Sequence, residues 1–154
     1  TSGTNIMAPK ALGFKKWEDL RGKKVCGKQG AFYNSVVEER YGVEIVAFTG
    51  NAEAKQALRD RKCTAWVYDD SSIGSDLSSG NWEEFEMPLD SEDDNPWGLA
   101  VPLAEQSCVF GNFMSGMQYN WHRSGRLIEL EAKWGIKPTA YLKKQADTHS
   151  DWIK

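Results

Sequence analysis

Between Lys24 and Asp69 the chain alternates short β-branched or apolar runs with helical stretches, and this alternation restricts the possible fold more than any other feature of the sequence. Lys24 to Gly27 reads as a strand. Phe32 to Tyr41 reads as a helix, with Val36, Val37 and Tyr41 on one side and Glu38, Glu39 and Arg40 largely on the other, and Gly42 stops it. Val43 to Phe48 is a β-branched strand and Thr49-Gly50 a turn. Asn51 caps a second helix whose Ala54, Ala57 and Leu58 form the packing stripe, and Ala65 to Tyr68 is a third strand. Strand, helix, strand, helix, strand within about fifty residues predicts a right-handed βαβαβ unit with parallel pairing, an α/β fold.

The flanks are simpler. Thr4 to Ala8 is a short extended piece ended by Pro9, and Trp17-Glu18-Asp19-Leu20 is a single helical turn. After the unit come a short helix over Ser71 to Leu77, ending near Gly80, a strand around Phe85, an acidic loop from Asp90 to Asn95, and a further strand, Trp97 to Val101. From Leu103 the pattern is helical: Val109, Phe113, Met117 and Trp121 recur at four-residue steps. Ser124-Gly125 breaks that helix, and a second carries Leu127, Ile128, Leu130 and Trp134. Two surfaces suit the first of these helices, the sheet already described or a lobe outside this chain. The polar tail Thr139 to Lys154, beyond Pro138, reads as a docked helix or a frayed end.

Two strands of the unit run into the segments Gln29-Gly30-Ala31-Phe32-Tyr33-Asn34 and Val67-Tyr68-Asp69-Asp70, so both emerge on one edge of the sheet. Open α/β sheets bind ligands outside the carboxyl ends of their strands. There a glycine turn and a helix N-terminus offer N–H groups, and an aspartate offers a counter-charge. That edge suits a small zwitterion.

Composition narrows the alternatives. With 154 residues, 40% of them hydrophobic, the chain can form one compact domain or two small lobes. The net charge of -3, with no basic cluster longer than pairs such as Lys15-Lys16 or Lys143-Lys144, leaves no footprint for nucleic acid. No apolar run is long enough to span a membrane and no secretion signal opens the chain; its start at Thr1 points to an upstream segment that is missing or processed. The seven tryptophans read as core and inter-helix packing. Cys26, Cys63 and Cys108 fit neither a zinc spacing nor a CxxC pair, and His122 and His149 lie far from them, so no metal and no cofactor is expected. Cys26 and Cys63 have two readings, a disulfide between neighbouring strands or two buried thiols; Cys108 reads as core. Asp90 to Asn95 lacks the glycine and terminal glutamate of a calcium loop and is interrupted by Pro96, so it reads as a solvated loop. His122 is a favourable charge at a helix C-terminus. There is no GxSxG, and Ser71-Ser72 has no histidine nearby in sequence, so no hydrolase is implied.

The order of motifs resembles that of the periplasmic solute-binding proteins of polar amino-acid ABC importers. The likeness rests on Trp17-Glu18-Asp19-Leu20-Arg21-Gly22-Lys23-Lys24-Val25, Gln29-Gly30, Ala52 to Leu58 and Ala65-Trp66-Val67-Tyr68-Asp69-Asp70, followed by Trp97-Gly98-Leu99-Ala100-Val101 and Ser124-Gly125-Arg126-Leu127 to Lys133-Trp134-Gly135. It implies a type II periplasmic-binding-protein-like lobe with a short βαβαβ parallel sheet plus C-terminal helices. On this reading residues 1–16 are a crossover, 17–96 the ligand-binding lobe two and 97–102 a return hinge strand, while 103–154 are helices that complete lobe one, with the tail. The rest of lobe one lies outside the chain, with the arginine that grips the ligand carboxylate and the aromatics that sandwich its side chain.

The resemblance places Asp69 where the family's aspartate receives the ligand ammonium, and leaves Asp70 as the better helix cap. Around Gln29, Gly30, Ala31, Phe32 and Tyr33 the family commonly carries Gly-Ser-Thr or Gly-Thr-Thr, whose hydroxyl donates to the ligand carboxylate. Here Ala31 and Phe32 replace those hydroxyls, so backbone N–H groups with Phe32 or Tyr33 must serve instead. The implied function is capture of a polar amino acid in the periplasm and its delivery to an ABC permease, without catalysis, with a first lobe or complementary fragment as partner. The alternatives are an extracellular sensor module of the same fold and, behind it, a dehydratase-like enzyme using Asp69 and Tyr68.

Overall fold

The computed structural model describes residues 2–95, 97–136 and 140–150. They fall into two compact units, Ser2–Asp94 and the chain from Asn95 onward.

The first unit is a mixed sheet of β1 (Ser2–Pro9), β2 (Lys24–Lys28), β3 (Glu44–Phe48), β4 (Ala65–Asp69), β5 (Phe85–Glu86) and β6 (Glu92–Asn95). Three helices connect its strands, α1 (Phe32–Tyr41), α2 (Asn51–Arg59) and α3 (Asp70–Ser78). The strand order is β3-β2-β4-β1-β5, with β6 also paired to β1. The expected parallel unit is present, since β2 pairs in parallel with both β3 and β4. The segment expected as a crossover supplies β1, an inner strand that runs antiparallel to β4 with Thr4 opposite Asp69 and Met7 opposite Trp66.

Alternation along each strand builds two cores, because successive side chains point to opposite faces. Ile6, Ala8, Val25, Ala65 and Val67 face one side, where Tyr33, Val37 and Tyr41 of α1 cover them with Trp17 and Leu20. Met7, Cys26 and Trp66 face the other, against Ala54, Ala57 and Leu58 of α2, Ile73 of α3, and Trp82. Ile6, Val25 and Val67 are fully buried, and each such side chain contributes about 2 kcal/mol by leaving water. On the second face Cys26 and Cys63 form a disulfide with Cα atoms 5.5 Å apart, tying β2 to the segment that leads into β4.

The acidic stretch expected as a loop is strand β6, and its charges are compensated locally. The Arg40 guanidinium donates to Glu92 Oε2 (2.7 Å) and Asp93 Oδ2 (3.2 Å), and the Tyr41 hydroxyl donates to Glu92. Burial and that contact push the Tyr41 phenol up to about 12. The buried Asn5 amide donates to Leu89 O and Ser91 Oγ, both at 3.0 Å, and Trp17 Nε1–H donates to Asp90 O (3.1 Å). Polar groups on β1, α1 and the turn at Trp17–Leu20 thus hold a segment that hydropathy alone reads as solvated.

The second unit holds α4 (Val109–Arg123), α5 (Arg126–Lys133) and α6 (Ala140–Ser150), preceded by a 3-10 turn at Leu103–Glu105. Gly111 is required where α4 crosses that turn, because a Cβ there would meet Glu105 O at 2.2 Å. A cavity of about 310 Å³ between the helices is lined by Trp97, Trp121, Leu127, Leu130, Tyr141 and Leu142. Three expectations are corrected in this unit. Trp97 to Val101 is not a strand, since no described strand of this unit offers it a ladder to join. Cys108 is exposed at the N-cap of α4 rather than core. Trp97 and Trp134 are exposed, at 68% and 71%, unlike the buried Trp17, Trp66 and Trp82. The expected tail is helical over Ala140–Ser150, while Thr139 and Trp152 lie outside the described residues.

Candidate functional site

Because β2 and β4 are adjacent parallel strands, their carboxyl ends at Lys28 and Asp69 open on the same edge. The turn after β2 closes tightly: Gln29 N–H donates to Phe48 O (2.7 Å) and Ala31 N–H to Lys28 O (3.1 Å). Gly30 sits at φ +76, where a side chain would be strained. Asn34 Nδ2 donates to Lys28 O (2.8 Å), and its side chain lies so close to Gly27 that a Cβ at residue 27 would approach Asn34 Oδ1 to 2.3 Å. These contacts start α1 at Phe32 and turn the next residue, Tyr33, inward.

Asp69 ends β4 and occupies the N-cap position of α3, yet neither it nor Asp70 caps that helix through its side chain. The Asp69 carboxylate is instead held from two sides. The Ser2 hydroxyl donates to Oδ1 (2.6 Å) and the Tyr33 hydroxyl to Oδ2 (2.7 Å). Asp70, expected as the cap, is buried, and its Oδ1 accepts Gly3 N–H at 3.1 Å and lies 3.3 Å from Ser2 Oγ. The register explains both contacts: with Thr4 opposite Asp69, Ser2 and Gly3 extend past the end of β4. Ser2 has one hydroxyl proton, and the shorter distance assigns it to Asp69. Among the described residues neither aspartate has an ion pair. A carboxylate accepting two hydrogen bonds keeps further lone pairs, so half-buried Asp69 retains capacity for an incoming cation.

An aromatic row runs inward from this edge. Phe32 is 55% exposed, and its ring lies 4.3 Å from that of Tyr33. Tyr33 meets Tyr68 edge-on at 5.6 Å, and Tyr68 stacks on the buried Trp66 at 5.1 Å. Of the residues expected at the site, Tyr33 and Asp69 are in direct contact. Gln29, Gly30 and Ala31 shape the turn, and Phe32 stands at the rim. Ser2 and the Gly3 N–H, which belong to the same cluster, carry no sequence signal, since their partners lie 67 residues or more away. Among the described residues no group of three or more His, Cys, Asp or Glu is placed to hold a metal ion.

Burial, then the hydrogen bond to the Asp69 carboxylate, raises the Tyr33 phenol well above its ordinary value. The folded chain therefore keeps this proton at pH values where the unfolded chain has lost it. Stability from the contact is complete below about pH 10 and declines as pH rises toward the folded-state value. Urea midpoints measured from neutral to strongly alkaline pH are expected to fall less steeply for Tyr33→Phe than for the parent, with Tyr41 retaining its own share of the slope. Equal slopes would mean that the Tyr33–Asp69 contact is not made in solution.

No protein-family model and no curated protein sequence matches the chain. Solved structures do. The substrate-binding domain 2 of Lactococcus lactis GlnP in an open conformation superposes with a TM-score of 0.70 at 22% identity, over 90% of this chain and 60% of that one. An ancestral arginine-binding protein bound to glutamine gives 0.65 at 22% identity, over 86% and 59%. Domain 2 of ArgBP from T. maritima gives 0.52 at 22% identity, with 60% of this chain covering 100% of that domain. The fold is thus that of a periplasmic-binding-protein-like α/β lobe with its accompanying helices. The chain spans about three fifths of the length of the larger structures it matches.

Proposed function

We propose that this chain is the second, ligand-holding lobe of an extracytoplasmic solute-binding protein that captures a polar amino acid and hands it to an ABC permease. The observation that carries this reading is the Asp69 carboxylate, set at the strand-end edge and oriented by two neutral donors, Ser2 and Tyr33. A carboxylate that has no ion pair among the described residues suits an ammonium. Backbone N–H groups at the start of α1 suit the ligand carboxylate, in place of the hydroxyls that Ala31 and Phe32 lack. Binding rather than catalysis is the role.

Two further observations fit. A buried disulfide belongs to an oxidising compartment. The outer helices leave Leu103 84% and Val109 87% exposed, surface that a first lobe would cover. None of the described helices is long and apolar enough to cross a membrane.

The test is an amide-resolved NMR titration of the 154-residue chain with glutamine, arginine and alanine. Weak binding in the millimolar range is expected, with perturbed amides grouped at residues 31–35 and 69–72. An undisturbed spectrum, or perturbation centred elsewhere, would refute the site. Micromolar binding by a single polypeptide would refute the need for a first lobe.

A further inference from the structure

The two lateral edges of the sheet differ. One ends in β5, only two residues long, whereas the other is β3, five residues with β2 on one side and no described strand on the other. Sheet edges are kept from pairing with other chains by short strands, prolines, lysines and bulges. β3, Glu44-Ile45-Val46-Ala47-Phe48, contains no proline or lysine, its register with β2 is unbroken, and its single charge, Glu44, lies 3.7 Å from Lys24. The ladder with β2 fixes which backbone groups stay open. Glu44 N–H donates to Lys23 O (2.9 Å) and Phe48 O accepts Gln29 N–H (2.7 Å). Residues 44, 46 and 48 therefore bond inward, and the N–H and C=O groups of Ile45 and Ala47 point outward.

We infer that β3 is an interaction surface for a second copy of this chain, which pairs with it antiparallel about a two-fold axis at Val46. In this register Ile45 faces Ala47 of the second copy and Ala47 faces its Ile45, so every open N–H meets an open carbonyl, while Val46 faces Val46. The side chains fit the same register. Ile45, Val46 and Phe48 are only partly buried, at the margins of the two cores, and pairing covers them. No like charges meet: Glu44 lies opposite Phe48 of the second copy, in the row that ends at that copy's Lys28, which has no ion pair among the described residues. Asp69 is on β4, two strands away from β3, so the joined sheets leave the strand-end edge open and the inference does not depend on what binds there. Edges of five residues bury little surface, which makes the association a weak one.

The experiment measures NMR translational diffusion and amide exchange of the 154-residue chain from micromolar to millimolar concentration. An equilibrium between monomer and dimer is expected, with the Ile45 and Ala47 amides slowed about tenfold at the higher concentration and those of Glu44, Val46 and Phe48 slow throughout. Ala47→Pro removes an N–H that β2 does not use and is expected to abolish the dimer. Ala47→Lys, at an exposed position, weakens it about tenfold while leaving the ladder to β2 intact. If Ala47→Pro does not fold, Ala47→Lys decides alone. A monomer at every concentration overturns the inference. So does a dimer that Ala47→Lys leaves unchanged, or one in which the Ile45 and Ala47 amides exchange as fast as in the monomer, because the contact would then lie elsewhere, at the exposed Leu103 and Val109 for instance.

Discussion

Replacing Cys26 and Cys63 together by alanine is expected to lower the stability of the chain by about 4 kcal/mol, the loop-entropy value for a cross-link closing some 37 residues. The loop so closed contains α1, β3 and α2, the edge strand of the parallel sheet and the two helices that flank it in sequence. Without the bridge the unfolded chain gains the freedom to separate β2 from the start of β4, while the native contacts change little. Urea denaturation of parent and variant, with and without reductant, checks this. Reductant should lower the parent's midpoint toward the variant's and leave the variant's unchanged, and the parent's intact mass should rise by two hydrogen atoms on reduction. Parent and variant unfolding at the same midpoint without reductant would show the alternative, two buried thiols. A network of inner-strand contacts does not replace the cross-link, because hydrogen bonds and burial stabilise the native state, whereas the bridge restricts the unfolded one.

The features legible in the sequence are those that local pattern determines. Phe32 and Gly42 bound α1 as expected, because an apolar stripe and a residue free to adopt positive φ are both local signals. Ala54, Ala57 and Leu58 are the buried stripe of α2, although Gly50 rather than Asn51 takes its N-cap position. The features that stayed hidden depend on partners. Ser2–Pro9 becomes an inner antiparallel strand because it pairs with residues 66–69, far along the chain. Glu92–Asn95 becomes a strand because β1 pairs with it and because Arg40 and Tyr41 neutralise its acids. Trp97 to Val101 has the composition of a strand but not the structure, since strand propensity is realised only against a neighbour. The same reasoning applies to the site. Asp69 was legible as a charge at a strand end, but Ser2 was not, because only the β1–β4 register brings it there.

Asp69→Ala in the protein completed by its first lobe is expected to abolish amino-acid binding, a loss of a hundredfold or more, roughly 3 kcal/mol. The size follows from removing the charged acceptor of a partly desolvated ammonium, which leaves that ammonium without a counter-charge. Loss of the acceptor for Ser2 and Tyr33 should cost about 1–2 kcal/mol of stability, well short of unfolding the lobe. Asp69→Asn separates the two effects. It keeps the shape and one acceptor oxygen but no charge, so the melting temperature should stay near the parent's while calorimetric binding is lost as completely as in Asp69→Ala. Normal affinity in Asp69→Asn would sink the ammonium assignment. Asp70→Asn provides the contrast, because Asp70 is buried and committed to Gly3 N–H, a contact internal to the fold. Its substitution should therefore lower the melting temperature and leave affinity within a few-fold of the parent's. Two adjacent carboxylates would then have separate roles, one holding the end of the sheet and the other holding the ligand.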